Sequence, residues 1–184
     1  MRKIIVTEFI TLDGVTEAPH EWSFPFWNDE ISKFKHDELL ASDALLLGRV
    51  TYQGFAAAWP SRTDESGYAD RINGLPKYVV STTLEKVEWN NSTLIKDAKR
   101  VAEEIAKLKQ QPGQDIVIHG SNTLVRALMP HNLIDEYRLL VYPIVLGSGK
   151  RLFQDGSNAT LKLVETKPFS SGVVALTYQP AQNK

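Results

Sequence analysis

The sequence contains no cysteine among its 184 residues. A disulfide framework, a thiolate zinc site, an iron–sulfur cluster and a cysteine nucleophile are therefore excluded. A chain without cysteine is compatible with a reducing compartment, and we expect a cytoplasmic location.

An excess of basic residues is also missing. Lysine and arginine number 21, aspartate and glutamate number 22, and the formal net charge is −1. Binding to a phosphate backbone draws on a basic surplus, so we expect no nucleic-acid partner.

Long apolar runs are absent as well. No stretch approaches the ~18 apolar residues of a membrane span. Near the N-terminus, Glu8 and Asp13 interrupt the apolar run that follows Arg2 and Lys3. This pattern predicts the first β-strand of a soluble protein, not a signal peptide, and we expect no membrane association.

The composition itself is that of an ordinary globular domain. Apolar residues make up 42% of the chain and charged residues 23%. A chain of this length suits one domain and buries enough surface to need no covalent crosslinks. We interpret residues 1–184 as a single domain.

Strand patterns alternate with helical patterns along most of the chain. The predicted strands are 3–12, 43–47, 77–81, 93–95, 115–119, 134–145, 161–165 and 173–178, and the predicted helices are 28–40, 51–59, 97–110 and 121–129. Alternation of this kind predicts a mostly parallel sheet with helices on both faces. No helix separates the last three strands, so we expect them to pair antiparallel. The aromatic-rich segment 15–27 is predicted to be a functional loop.

Several kinds of active site can be excluded by their motifs. The chain has no G-x-S-x-G and no H-E-x-x-H, and its four histidines show no metal-ligand spacing, so we expect no metal site. Residues 146–150 read LGSGK but lack the first glycine of a phosphate loop. No G-x-G-x-x-G follows the first strand, which disfavours an ordinary Rossmann site.

Three strand ends nevertheless carry residues suited to phosphate. Strands run into glycine and a helix start at 45–51 and 116–121, and Ser81 and Thr82 end a third strand. Helix N-termini attract phosphate, and an arginine such as Arg49 binds it in a bidentate manner. Each motif alone is also explained as a strand cap, a surface ion pair or a helix N-cap. Together they predict one nucleotide lying across the carboxyl edge of the sheet.

Five motifs occur in an order that resembles a known family. They are TLDG at 11–14, LGRVTY at 47–52, KYVVSTTL at 77–84, IHGS at 118–121 and PIVLG at 143–147. The chain resembles the dihydrofolate reductase-like superfamily. It is most similar to a free-standing form of the C-terminal reductase domain of the bacterial riboflavin-biosynthesis deaminase–reductase. The resemblance implies a three-layer α/β fold whose central sheet has about eight strands, mostly parallel with an antiparallel C-terminal strand.

The resemblance also implies NADPH as cofactor and assigns residues to it. The implied pyrophosphate and 2′-phosphate contacts are Gly48, Arg49 and Thr51, then Ser81 and Thr82 at the 2′-phosphate, and Gly120, Ser121 and Leu124 at a second pyrophosphate site. The family's usual second glycine is replaced by Ser121.

The expected activity is hydride transfer from NADPH to a C=N or C=O carbon of a small heterocyclic or sugar-linked substrate. The implied substrate is similar to 5-amino-6-(5-phosphoribosylamino)uracil. Asp13 is the first candidate proton donor and Glu30 the second, although Asp13 also suits a plain Asp-Gly turn. Trp22 and Trp27 either stack on a planar ring or anchor the loop. The alternative function is a nucleotide- or flavin-binding module with little catalysis.

Two expectations concern partners. The family is often dimeric, so we expect a homodimer, and residues 143–152 are a candidate interface. Lys150 and Arg151 are candidates for binding a substrate phosphate.

Overall fold

The computed structural model describes residues 1–97 and 99–181, and one mixed sheet runs through them. Its strands are β1 (Ile4–Thr11), β2 (Ser42–Gly48), β3 (Lys77–Val80), β4 (Ser92–Ile95), β5 (Asp115–His119), β6 (Glu136–Tyr142), β7 (Leu161–Pro168) and β8 (Val174–Pro180). Each predicted strand is present, with bounds that differ by a few residues.

The helices are α1 (Pro19–Trp22), α2 (Asp29–Leu40), α3 (Arg49–Ala58), α4 (Tyr68–Gly74), α5 (Val101–Gln110) and α6 (Asn122–Leu128). Short 3₁₀ turns occupy Phe24–Phe26 and Met129–His131. The segment predicted as an irregular loop therefore contains α1 and one 3₁₀ turn. Proline in the first turn of each fits because it needs no amide partner there. Within the described residues, no helix has the length and apolar character required to cross a bilayer.

The strand order across the sheet is β4-β3-β2-β5-β1-β6-β8-β7. The first six strands are parallel, whereas β8 is antiparallel to both β6 and β7. The mostly parallel sheet with an antiparallel C-terminal strand is thus confirmed. Its physical reason is the absence of a crossover helix after β6, because parallel neighbours need one.

Along each strand, alternate side chains pack against helices on opposite faces of the sheet. On one face, Ile4 and Val6 pack with Ile105 of α5 and Val125 of α6. On the other, Ile5 packs in a cluster that includes Leu39 of α2 and Tyr52 of α3. We call the face of the sheet that packs against α2 and α3 the α2 face. Side chains that alternate every residue produce this division, and the three-layer arrangement is confirmed.

The carboxyl edge of the sheet is not level. Strand β5 ends at His119, which is paired with Thr7, but β1 continues beside β6 as far as the pair of Thr11 with Tyr142. The four extra residues raise β1 and β6 by about 13 Å above the end of β5. We call this drop the step. Strand β2 ends near its floor, because Leu46 is paired with Ile118.

Candidate functional site

The turns after β2 and β5 meet at the floor of the step. A Cβ atom added to Gly48 would lie 2.5 Å from the Cβ of Ser121, closer than side chains approach. A Cβ on Gly120 would lie 3.2 Å from the hydroxyl of Thr51. The two predicted phosphate turns therefore do come together. Glycine is required at position 48 because the turn after β5 packs against it within the chain.

Ser121 sits in a conformation that favours glycine. Its φ is 79°, and Gly120 before it has a φ of 69°. A non-glycine residue in the left-handed region carries backbone strain. The Ser121 side chain compensates by accepting a hydrogen bond from the Leu124 amide at 3.3 Å, so it caps α6.

The turn after β3 lies next to these two, because β3, β2 and β5 are neighbours. The buried Ser81 hydroxyl oxygen accepts hydrogen bonds from the amides of Thr83 at 3.2 Å and Leu84 at 3.0 Å. Ser81 thus shapes the turn, whereas Thr82 is exposed on it. Of the two, Thr82 has the side chain that is open to a ligand.

Two more residues implied by the resemblance differ in their environment. Arg49 is exposed at the start of α3 and donates to the side chain of Gln53 at 3.2 Å. It makes no ion pair within residues 1–97 and 99–181, so the surface ion-pair interpretation is not supported. Leu124 is only 4% exposed and packs in the core. Its side chain faces the core and its amide donates to the Ser121 hydroxyl, so the assignment of Leu124 to the second pyrophosphate site stays a prediction.

The covering segment 15–27 is anchored by its aromatics. Trp22 is buried, lies 5.3 Å from the Tyr142 ring, and donates to the Glu17 carbonyl oxygen at 2.9 Å. Trp27 is 42% exposed and 6.0 Å from the ring of Phe9. The anchor interpretation fits Trp22, while Trp27 retains an exposed ring surface beside the step.

Asp13 is held as an ionised acceptor. Its carboxylate accepts from the Thr11 hydroxyl at 2.6 Å and from the amides of Gly147 and Leu146 at 2.8 and 3.2 Å. These hydrogen bonds lower the pKa of Asp13 to about 2. A carboxylate with this pKa carries no proton at neutral pH, so the geometry argues against Asp13 as a proton donor. It ties the β1 turn to the loop after β6 instead.

Glu30 is occupied in a similar way. Its carboxylate accepts from the hydroxyl and the amide of Ser170, the latter at 2.8 Å, and from Asn28 at 3.1 Å. The Ser170 hydrogen bonds hold the pKa of Glu30 below its ordinary value. Glu30 therefore fastens the start of α2 to the β7–β8 hairpin, which argues against proton donation. We call Asp13 and Glu30 the loop carboxylates.

A different set of ionisable groups lies on the α2 face at the floor of the step. The Lys35 ammonium group donates to the Thr7 hydroxyl at 2.8 Å and forms an ion pair with Glu38. Arg138 of β6 lies 3.4 Å from the other Glu38 oxygen. His119 is level with Thr7. We call these five residues the floor cluster.

Sequence reasoning missed the floor cluster, although a signal existed. Ile31, Lys35 and Glu38 are spaced i, i+4 and i+7, so they share the buried stripe of α2. Lys35 is 5% exposed and Glu38 3%. Charged residues on a stripe that packs against a sheet are rarely buried without partners, and this is the pattern that marks them.

Two buried side-chain atoms, one in the cluster and one next to it, have no hydrogen-bond partner among the described residues. They are the Nε2 atom of His119 in the cluster and the Oε1 atom of Glu8 next to it. Burial, with Lys35 nearby, lowers the pKa of His119 to about 3. Burial raises the pKa of Glu8 to about 8, although Lys35 opposes that shift. At neutral pH the imidazole is neutral and Glu8, on the opposite face of β1, is largely protonated.

Comparisons with known proteins agree with this architecture. Residues 2–175 match the family described as the RibD C-terminal domain. The uncharacterized protein YyaP of Bacillus subtilis is 35% identical over 184 residues, covering 96% of this chain and 94% of YyaP. The chain belongs to the RibD C-terminal domain family.

Solved structures show the same fold. A putative riboflavin biosynthesis protein from Shewanella superposes with a TM-score of 0.73 at 19% identity, covering 98% of this chain and 99% of that one. Dihydrofolate reductase from Enterococcus faecalis, complexed with NADP(H), superposes with a TM-score of 0.65 at 15% identity, covering 98% and 97%. The fold is dihydrofolate reductase-like. The family and the fold are those of reductases, which suggests an oxidoreductase.

Proposed function

We propose that this chain is an NADPH-dependent reductase that transfers a hydride to a C=N or C=O carbon of a small heterocyclic or sugar-linked substrate. The substrate class resembles 5-amino-6-(5-phosphoribosylamino)uracil. The observation that carries the proposal is the step. Beyond Thr7, the side of β1 that faces β5 has no strand partner in the described part of the chain, and the turns after β2, β3 and β5 open beside it. Ligands of open α/β sheets occupy this kind of crevice.

The residues present fit an NADPH molecule in this position. Arg49 and Thr82 offer an exposed guanidinium and hydroxyl for a 2′-phosphate. The backbone at Gly120 and Ser121 offers amides for the pyrophosphate, close to Thr51. The unpaired edge of β1 offers main-chain groups for a carboxamide. When bound, the cofactor supplies the hydride, and these residues bind and orient it.

The experiment that tests the proposal compares NADPH and NADH on the native protein and on Arg49→Ala. A lost charge-assisted hydrogen bond costs about 1.5–3 kcal/mol. We therefore expect NADPH to bind roughly 10- to 150-fold more weakly, as measured by nicotinamide fluorescence. NADH lacks the 2′-phosphate and serves as the internal control, with little change expected. Equal losses for both nucleotides would refute the assignment of Arg49.

A second candidate function is a nucleotide- or flavin-binding module with little catalysis. The observation that favours it is that both loop carboxylates are occupied by hydrogen bonds. Steady-state oxidation of NADPH with a cognate substrate would exclude it. Tight nucleotide binding without turnover across a broad panel of C=N and C=O compounds would favour it.

The homodimer and the substrate phosphate remain part of the proposal. Val145 and Leu146 are 66% and 40% exposed in the candidate interface, and sedimentation velocity tests whether two copies associate. The Arg151 guanidinium already donates to the Asp13 carbonyl oxygen at 2.9 Å, whereas Lys150 is mostly exposed near Glu17. Lys150 is therefore the better candidate for a substrate phosphate.

A further inference from the structure

Reduction of a C=N or C=O bond needs a proton as well as a hydride. The substrate carbon gains the hydride and forms a C–H bond, and the π electron pair moves to nitrogen or oxygen, which must take up a proton. The loop carboxylates are ionised acceptors at neutral pH, so neither supplies it. If the proposed reductase function holds, the site needs another source.

The floor cluster contains a donor at the required level. Thr7 pairs with His119, the last residue of β5, so its side chain stands where the step begins. Its hydroxyl oxygen accepts from Lys35 at 2.8 Å. Since that oxygen receives a proton donor from one side, its own hydrogen points elsewhere. In the described part of the chain that hydrogen has no acceptor.

Lys35 is held in place on three sides. One N–H bonds to Thr7, and a second pairs with Glu38, itself buried and contacted by Arg138. The Phe9 ring lies 5.7 Å from the ammonium nitrogen. A buried ion pair is a weak source of net stability compared with apolar residues of similar volume, so its presence beside a cleft points to a functional role.

We propose that Lys35 and Thr7 form the proton relay of this site. The Thr7 O–H bond breaks as its proton passes to the substrate nitrogen or oxygen, and the Lys35 N–H bond breaks as its proton restores the Thr7 hydroxyl. Lys35 is left as a neutral amine and regains a proton from solvent. The hydride and its two electrons come from the nicotinamide cofactor. Both residues are distinct from those that bind the nucleotide.

Four titratable or charged groups surround Lys35. Glu38 lies on α2, His119 on β5 and Arg138 on β6, while Glu8 lies on the opposite face of β1. Removing the Lys35 charge and removing the Glu38 charge change the local field in opposite directions. This sign difference separates an electrostatic role at the cofactor from a purely structural one.

The first test measures binding alone, with NADPH and NADP⁺ as probes. The oxidised ring carries a positive charge and the reduced ring does not. A cation at the floor disfavours NADP⁺, so in Lys35→Met we expect the preference for NADPH over NADP⁺ to fall by about tenfold. In Glu38→Gln we expect it to rise. Lys33→Met is the matched control, since exposed Lys33 pairs with Asp37 on the same helix and is screened by solvent.

The second test separates the hydroxyl from the shape of Thr7. Thr7→Val keeps the side-chain volume and removes the proton, while Thr7→Ser keeps the proton. In single-turnover oxidation of NADPH with 5-amino-6-(5-phosphoribosylamino)uracil as the probe, we expect Thr7→Val to slow the step by about 10²- to 10⁴-fold. We expect Thr7→Ser to stay near the native rate, with NADPH affinity unchanged in both.

The outcomes distinguish this proposal from the one on which it rests. If the native protein binds neither nucleotide, the reductase function and the relay fail together. If it binds both but the NADPH preference is the same in Lys35→Met, Glu38→Gln and Lys33→Met, the relay alone is overturned. A Thr7→Val variant as fast as Thr7→Ser would also overturn it.

Discussion

The charges of the loop carboxylates and of the floor cluster are stabilised in opposite ways. Asp13 and Glu30 sit at the surface and are held by backbone amides and hydroxyls, which lower their pKa values. Lys35 and Glu38 are withdrawn from water and depend on one another. Surface hydrogen bonds keep a carboxylate ionised, whereas buried groups need a compensating charge.

This difference shows which residues are free to act. A carboxylate saturated with donors is fixed in one protonation state and serves as a tie between loops. A buried lysine that donates to a hydroxyl whose own hydrogen has no acceptor in the described residues retains capacity to move a proton. Asp13, in the TLDG motif, and Glu30 therefore hold loops in place. The candidates for proton transfer are the buried Lys35 and Thr7.

The largest expected effect is loss of the buried partner. Glu38→Ala leaves Lys35 and Arg138 without their shared carboxylate, and we expect a loss of about 3–5 kcal/mol in the free energy of unfolding. Urea unfolding measures it. Glu103→Ala removes the exposed partner of Lys107 and serves as control, with a change within about 0.5 kcal/mol. Equal losses in the free energy of unfolding for the two variants would contradict the difference between buried and exposed charges.

The next effect concerns the turn at the floor. Gly48→Ala would drive a Cβ into Ser121, and we expect a loss of about 1–3 kcal/mol in stability together with weaker NADPH binding. Gly54, in the exposed part of α3, has no atom near an added Cβ, so Gly54→Ala should stabilise by about 0.5–1 kcal/mol. Thermal unfolding of both variants checks the pair, and two losses of similar size would contradict the close approach of the turns.

Two buried groups predict opposite dependences on pH. The pKa of His119 is lowered to about 3, so the unfolded chain binds more protons between about pH 3 and 6.5 and stability rises with pH there. The pKa of Glu8 is raised to about 8, so the folded chain binds more protons between about pH 4.5 and 8 and stability falls as pH rises. Each slope is at most about 1.4 kcal/mol per pH unit.

Between about pH 4.5 and 6.5 these two slopes oppose each other in the native protein. In Glu8→Gln, urea unfolding across pH 4.5–8 should show the free energy of unfolding rising with pH up to about pH 6.5. Above that pH, the variant should lack the fall in stability that Glu8 causes in the native protein. His119→Asn should show the falling slope alone. Identical slopes in all three proteins would mean that neither group is buried as described.

The smallest effect belongs to a loop carboxylate. The folded pKa of Asp13 is depressed to about 2, so its contribution to stability is complete above its ordinary value and is lost as pH falls from about 4 towards 2. Asp13→Asn should lower the melting temperature at pH 7, with the gap to the native protein narrowing below about pH 4 and closing near pH 2. A gap of the same size at both pH values would show that the charge is not what matters.

The sequence predicts those features of the structure that depend on residues close together in the chain. Strand β5, the glycine at 120 and helix α6 follow from a buried run, a turn residue and a capping serine, and all three are present. The burial of the Leu124 side chain does not follow from that pattern, because local pattern does not distinguish the core side of a short helix from its turn side.

The roles of the loop carboxylates depend on distant residues. Asp13 is bound by the Gly147 amide and Glu30 by Ser170, more than 130 positions away in the sequence. No local pattern reports such contacts. The floor cluster is intermediate, since two charges on the stripe of α2 are visible in the sequence, but their partners on β1 and β6 require the sheet order.

The most direct measurement is a crystal structure of the protein soaked with NADPH. The account predicts that the nucleotide lies across the turns after β3, β2 and β5, with Arg49 at the 2′-phosphate and the nicotinamide ring in the step beside Thr7. A nucleotide bound elsewhere, or a step filled by protein atoms when the cofactor is present, would contradict it.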